Sequence, residues 1–123
     1  MRGIRIIPTE DQEQIAVFEW ANLLSGRYPE LDLMYHIPNG GKRSKSEAAR
    51  FKAMGVKPGV SDICLPVARG KYHGLYIELK ALDGKPSQKQ KDFIEKIKLG
   101  GYFGIIAYGA EEAIDIIKKY LEI

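Results

Sequence analysis

Asp62, Glu78 and Lys80 are the residues whose types and spacing suit them to chemistry. Asp62 closes the run Pro58-Gly59-Val60-Ser61-Asp62, behind a Pro-Gly turn. Glu78 and Lys80 stand two apart in Tyr76-Ile77-Glu78-Leu79-Lys80. In a strand, residues i and i+2 share a face, so Glu78 and Lys80 project together while Ile77 and Leu79 point away. A hairpin between the two segments brings Asp62 to the same place. Two carboxylates hold Mg²⁺ or Mn²⁺, hard cations that prefer oxygen, and the Leu79 backbone carbonyl offers a further oxygen between the two side chains. Such a cation acidifies water and neutralises charge on a phosphate. A neighbouring ammonium orients the water or stabilises the transition state. The chemistry is metal-assisted phosphodiester hydrolysis. Glu-Leu-Lys alone is weak, because charged residues alternating with apolar ones describe any half-exposed strand. Asp62, one hairpin upstream, adds the specificity.

The elements that position these residues follow from local signals. Thr9 caps a helix beginning at Glu10, with Val17, Phe18, Ala21 and Leu24 at helical spacing and Gly26 ending the run. Leu33 to Ile37 reads as a short apolar strand closed by Pro38-Asn39-Gly40-Gly41. Ser44 or Ser46 caps a second helix through Met54. Val60 to Val67 is a strand broken by Pro66, Arg69-Gly70-Lys71 a hairpin loop, and Leu75 to Ala81 the next strand. Ser87 caps a third helix ended by Gly100-Gly101. Tyr102 to Tyr108 is a buried strand, and Ala110 to Leu121 the last helix. The order α-β-α-β-β-α-β-α implies a three-layer α/β domain with a central mixed β-sheet flanked by helices, its last strand pair parallel.

Composition bounds the partners. The chain has 123 residues, 45% of them apolar, which suits one globular domain over residues 1–123. No apolar run approaches the roughly 18 residues of a membrane span, and the N-terminus lacks a signal peptide's apolar region. The expectation is a soluble, cytoplasmic protein that does not enter membranes. The lone Cys64 excludes an intramolecular disulfide and a cysteine-rich zinc site, and reads as a small core residue. Net charge is only +3, but Lys42, Arg43, Lys45, Arg50, Lys52 and Lys57 crowd one stretch against the single acid Glu47. That is either a phosphate-binding face or a solvated helix. Lys42, Arg43 and Lys45, beside the Gly-Gly turn, are candidates for phosphate contacts, which position DNA without reading its sequence. His36 and Asn39 flank the same turn. His36 either contacts phosphate or satisfies a backbone carbonyl.

The chain resembles the VRR-NUC subfamily of the PD-(D/E)xK nucleases. The likeness rests on Glu10-Asp11-Gln12-Glu13-Gln14 leading to Trp20, His36 to Gly41, Gly59-Val60-Ser61-Asp62, Glu78-Leu79-Lys80, and Ser87-Gln88-Lys89-Gln90 before Gly101-Tyr102. Ser61 stands where the family name has proline. The resemblance implies a restriction-endonuclease-like core and a divalent-metal DNA endonuclease. It implies an acid on the first helix near the metal, for which Glu10 is favoured over Glu13. Glu10 and Gln14 continue the face of Val17 and Ala21, whereas Glu13 reads as an acid favoured by its own helix dipole. It also implies that Gln90 hydrogen-bonds the water or the lysine. Stand-alone relatives suggest a homodimer cutting four-way junctions. Met34, Tyr35, Tyr72 and Tyr76 are material for an interface, or for the monomer core, and Tyr76 for the DNA site whose strand face it shares. Two other classes stay open: a catalytically silent DNA-binding module of the same fold, and a small α/β domain that binds a protein.

Overall fold

The computed structural model describes residues 6–39 and 43–123. Helices α1 (Glu10–Leu24), α2 (Lys45–Ala53), α3 (Gln88–Leu99) and α4 (Ala110–Leu121) surround strands β1 (Tyr35–His36), β2 (Ile63–Leu65), β3 (Leu75–Lys80) and β4 (Phe103–Tyr108). The sheet order is β1-β2-β3-β4. The first two pairings are antiparallel and β3–β4 is parallel, joined by the α3 crossover. The architecture is the mixed three-layer α/β domain expected.

Three helices start on the same device. Thr9, Ser44 and Ser87 each accept from the backbone amide three residues on, and Gln12, Glu47 and Gln90 return the bond, forming capping boxes. Ser44, not Ser46, caps α2. Helix α4 begins at Gly109, which has no side chain to offer. The buried Glu13 carboxylate of α1 does that work, accepting from the Ala110 amide at 3.0 Å. Glu13 therefore answers the dipole of α4, not that of its own helix.

Alternation along β3 sorts the layers. Leu75, Ile77 and Leu79 are fully buried and face Val17 and Ala21 of α1 and Ala113 and Ile117 of α4. On the other face, Tyr76 meets Phe93 of α3 edge to face, with centroids 5.5 Å apart. There α3 packs directly on β4. A Cβ on Gly104 would stand 2.5 Å from Ile97 Cδ1, so any larger residue there would force the Ile97 side chain to move. Cys64 is buried, as a small core residue should be.

Two expected strands are shorter than their apolar runs suggest. Within Leu33 to Ile37 only Tyr35–His36 pairs. A 3₁₀ turn, Pro29–Leu33, precedes it, held by Leu31 N–H to Tyr28 O and Met34 N–H to Leu31 O. Within Val60 to Val67 only Ile63–Leu65 pairs. Pro66 has no N–H to donate, and Val67 turns back to bond Leu65 O at 2.9 Å. Of the residues offered for an interface, Met34 is buried, Tyr72 stacks on Phe103 and Tyr76 on Phe93. The monomer absorbs these three, and Tyr35 remains exposed. No described helix is long and apolar enough to cross a membrane.

Candidate active site

The site forms where β2 stops. Register runs from Leu65–Leu75 to Ile63–Ile77 and ends there. In a strand the N–H and C=O of one residue point to the same edge. Continuing the ladder would set Ser61 against Leu79. Instead the Asp62 side chain turns in, and its Oδ2 accepts from the Leu79 amide at 2.8 Å. The Asp62 carbonyl takes the Ile37 amide at 2.7 Å and His36 Nδ1 at 2.8 Å. Asp62 is thus fixed from β1 and β3 together. The Leu79 carbonyl points toward the same edge as its amide, the side of Asp62.

Glu78 and Lys80 project from β3 on the face opposite the aliphatic core. Glu10 reaches in from the first turn of α1. One carboxylate oxygen from each of Glu10, Asp62 and Glu78 lies within 4.8 Å of the others. Lys80 Nζ stands 3.7 Å from Glu10 Oε2 and 3.9 Å from Glu78 Oε2, with its side chain only 11% exposed. Glu78 is fully buried, and neither of its carboxylate oxygens has a hydrogen-bond partner. Burial first, and then the neighbouring Asp62 carboxylate, push it up to about 9. Burial also raises Glu10 above the ordinary carboxylate range.

This arrangement fits a cation. A buried carboxylate with no donor is costly unless a proton or a positive ion satisfies it. The donors are all oxygens, the set that hard divalent ions prefer. Among the described residues, Lys80 alone is ion-paired within the cluster, one positive charge against three converging acids.

Comparison with known proteins shows the family. The sequence profile of the VRR-NUC domain matches residues 8–111, which include every member of the cluster. This chain belongs to the VRR-NUC family. A solved structure described as a VRR-NUC domain protein superposes with a TM-score of 0.81 at 36% identity, covering 99% of this chain and 92% of that one. No curated protein matches the chain in sequence. Membership makes this a nuclease-type, DNA-binding module and is consistent with the restriction-endonuclease-like superfamily.

Around the VRR-NUC cluster the other candidate residues divide. A cleft of about 430 Å³ is lined by Glu10, Gln14, His36, Asn39 and Asp62, among others. His36 satisfies a backbone carbonyl through Nδ1, which leaves Nε2 on an exposed ring. Asn39 Nδ2 donates to the Lys57 carbonyl and so closes the base of the α2 excursion. Gln90 Oε1 accepts from the Ser87 amide at 2.8 Å. Among the described residues no hydrogen bond or ion pair joins it to Asp62, Glu78 or Lys80. Arg43 lies over the Phe51 ring at 4.5 Å, Lys45 opens α2, and Lys42 lies outside the described residues.

Two residues beside the cluster were assigned no role from the sequence, although Gln14 was placed on the face of Glu10. Gln14 Nε2 and Ser61 Oγ are both buried without a partner. Gln14 sits one turn after Glu10 and lines the same cleft, so helical spacing was the available signal. Nothing in the sequence marks Ser61 except its place before Asp62.

Proposed function

We propose that this VRR-NUC domain is a divalent-metal-dependent DNA endonuclease, served by Mg²⁺ or Mn²⁺, that hydrolyses phosphodiester bonds in structured DNA such as four-way junctions. The observation that carries the reading is the convergence of Glu10, Asp62 and buried Glu78, whose oxygens accept no hydrogen bond, beside Lys80. The three carboxylates and the Leu79 carbonyl are the ligands, and a bound cation supplies Lewis acidity and neutralises charge at the phosphate. Lys80 positions water or meets the charge that develops on the phosphate. Glu10 and Glu78 hold its ammonium in place. Gln90 is assigned a supporting role on α3, next to the catalytic strand. His36, Asn39, Lys42, Arg43 and Lys45 are assigned to the DNA path.

A junction is cut on two strands, and a two-fold dimer supplies two equivalent sites from one small chain. The homodimer is therefore part of the proposal. Strand β4, with the uncharged run Phe-Gly-Ile-Ile-Ala-Tyr, is the last strand of the sheet among the described residues, an edge that a second copy can cover.

The test compares a four-way junction with a linear duplex of the same arms, in Mg²⁺, in Mn²⁺ and in chelator. Metal-dependent nicking of the junction in preference to duplex is expected. Equal turnover in chelator overturns the metal assignment, and equal cutting of duplex overturns the junction preference. Light scattering is expected to give twice the 13.8 kDa chain mass. A monomer mass that persists while junctions are cut refutes the dimer.

A further inference from the structure

Beside the cluster lies a second cleft, of about 290 Å³, between the loop that leads into Asp62 and helix α3. Its floor is Pro58, Val60 and Phe93. Lys57, Lys89 and Lys96 stand on its rim, all three exposed. None of them forms an ion pair with a described residue. One acid, Asp92, also lines the cleft and accepts from Gln88 at 2.8 Å, while Glu95 pairs with Lys98 at 3.4 Å. Three lysines against that one carboxylate leave the lining net positive, which favours an anionic ligand.

The two walls are locked together. Gly59 has φ +89°, and a Cβ there would stand 2.6 Å from the Lys89 carbonyl oxygen. Only glycine permits both the backbone conformation and the contact. The cleft is also tied to the cluster. Val60 precedes Asp62 by two residues, so the chain separates them by at most about 7 Å. Asn39, which lines the cleft at the cluster, bonds the Lys57 carbonyl at the rim of the second cleft.

We propose that Lys57, Lys89 and Lys96 bind the sugar-phosphate backbone of the DNA strand close to the bond that is cut. This rests on the endonuclease reading and extends it to a second phosphate site. Gly59, on the wall of the cleft, lies at most about 11 Å along the chain from Asp62, a reach of no more than a few nucleotides at about 3.4 Å of rise each. The contacts are electrostatic and do not read sequence.

The experiment measures binding of a four-way junction and of a linear duplex, in chelator, across a salt series. The proteins are the unaltered chain, Lys57→Ala/Lys89→Ala/Lys96→Ala, the corresponding triple Lys→Arg, and a control, Lys71→Ala/Lys118→Ala/Lys119→Ala. Circular dichroism checks that each is folded. The triple alanine variant is expected to lose at least tenfold in affinity near 0.1 M salt. Its slope of log K against log salt is expected to be two to three units shallower, at about 0.9 per phosphate contact. The arginine variant and the control are expected to keep the full slope. An unchanged slope in the triple alanine variant overturns the groove and leaves the endonuclease reading standing. An equal loss in the control also overturns it, since general charge then accounts for binding. If the unaltered chain neither binds nor cuts DNA, both proposals fall.

Discussion

The Asp62–Glu78 corner and helix α2 are opposites in construction. At the corner the Asp62 carbonyl and the Leu79 amide are both paired across the sheet, and Glu78 is sealed from solvent. Helix α2 buries none of its nine residues. Its order comes from the Ser44–Glu47 capping box and from the guanidiniums of Arg43 and Arg50 over Phe51. A short helix with no buried face draws little stability from packing. Chemistry that must hold atoms in place sits on the sheet. The surface assigned to the DNA path in the proposed function is carried on a segment the core does not constrain.

The largest effect that tests this contrast is on cleavage. Asp62→Asn and Glu78→Gln are each expected to lower turnover by at least about 10³-fold, since each removes a charged ligand. Retained metal-dependent turnover in either folded protein breaks the assignment. Asp62→Ala is expected to cost a further ~1–3 kcal/mol of stability that Asp62→Asn spares, because alanine leaves the buried Leu79 amide unsatisfied. Equal denaturant midpoints for the two variants would refute this.

Proton linkage at Glu78 comes next. Its carboxyl is pushed up to about 9 in the metal-free fold, against an ordinary value of 4.5. Between those limits the folded chain holds a proton that the unfolded chain has released. Stability is therefore present below about pH 4.5 and lost as pH rises toward 9. In chelator the thermal midpoint is expected to fall over that window. Glu78→Gln is expected to flatten the fall and to gain about 1–3 kcal/mol near pH 8. A midpoint that falls just as steeply in the glutamine variant sinks the argument.

Two acids one turn apart on α1 sharpen the contrast further. Glu10→Gln is expected to impair turnover and leave stability nearly unchanged. Glu13→Ala is expected to do the reverse, costing ~1–2 kcal/mol through the lost cap on α4. Chemical denaturation and single-turnover cleavage, run on both, read the two effects separately. The smallest effect is expected from Ser44→Ala. Unfolding of the whole domain should move by less than about 0.5 kcal/mol, while the α2 contribution to the helical signal declines. A loss as large as that of Glu13→Ala would mean that α2 is packed after all.

Helices and long strands were legible because their signals are local. Thr9, Ser87 and the apolar spacing of α4 need no knowledge of the rest of the chain. The alternation in β3 gave Glu78 and Lys80 one face, and helical spacing favoured Glu10 over Glu13, the arrangement now seen around the cluster. What escaped was non-local. Glu13 acts on an amide 97 residues away. The true lengths of β1 and β2 depend on where Asp62 intercepts the ladder, which no apolar pattern encodes. Gln90 matched a motif, yet the same Ser-to-Gln spacing also makes a capping box. Lys57 and Lys89 lie 32 positions apart and meet only because Gly59 lets α3 come close.

The bond between Asn39 and the Lys57 carbonyl has one more consequence. It brings the two ends of an excursion together at the body of the domain, so that whatever lies between them is topologically a side branch. Lengthening such a branch costs little: each doubling of a flexible loop adds only about 0.6 kcal/mol of closure entropy. The cluster would not register the change, because its supports at His36, Ile37 and Leu79 lie outside the branch. This is the position at which a whole additional domain could be spliced into the chain, adding new recognition surface without redesign of the core.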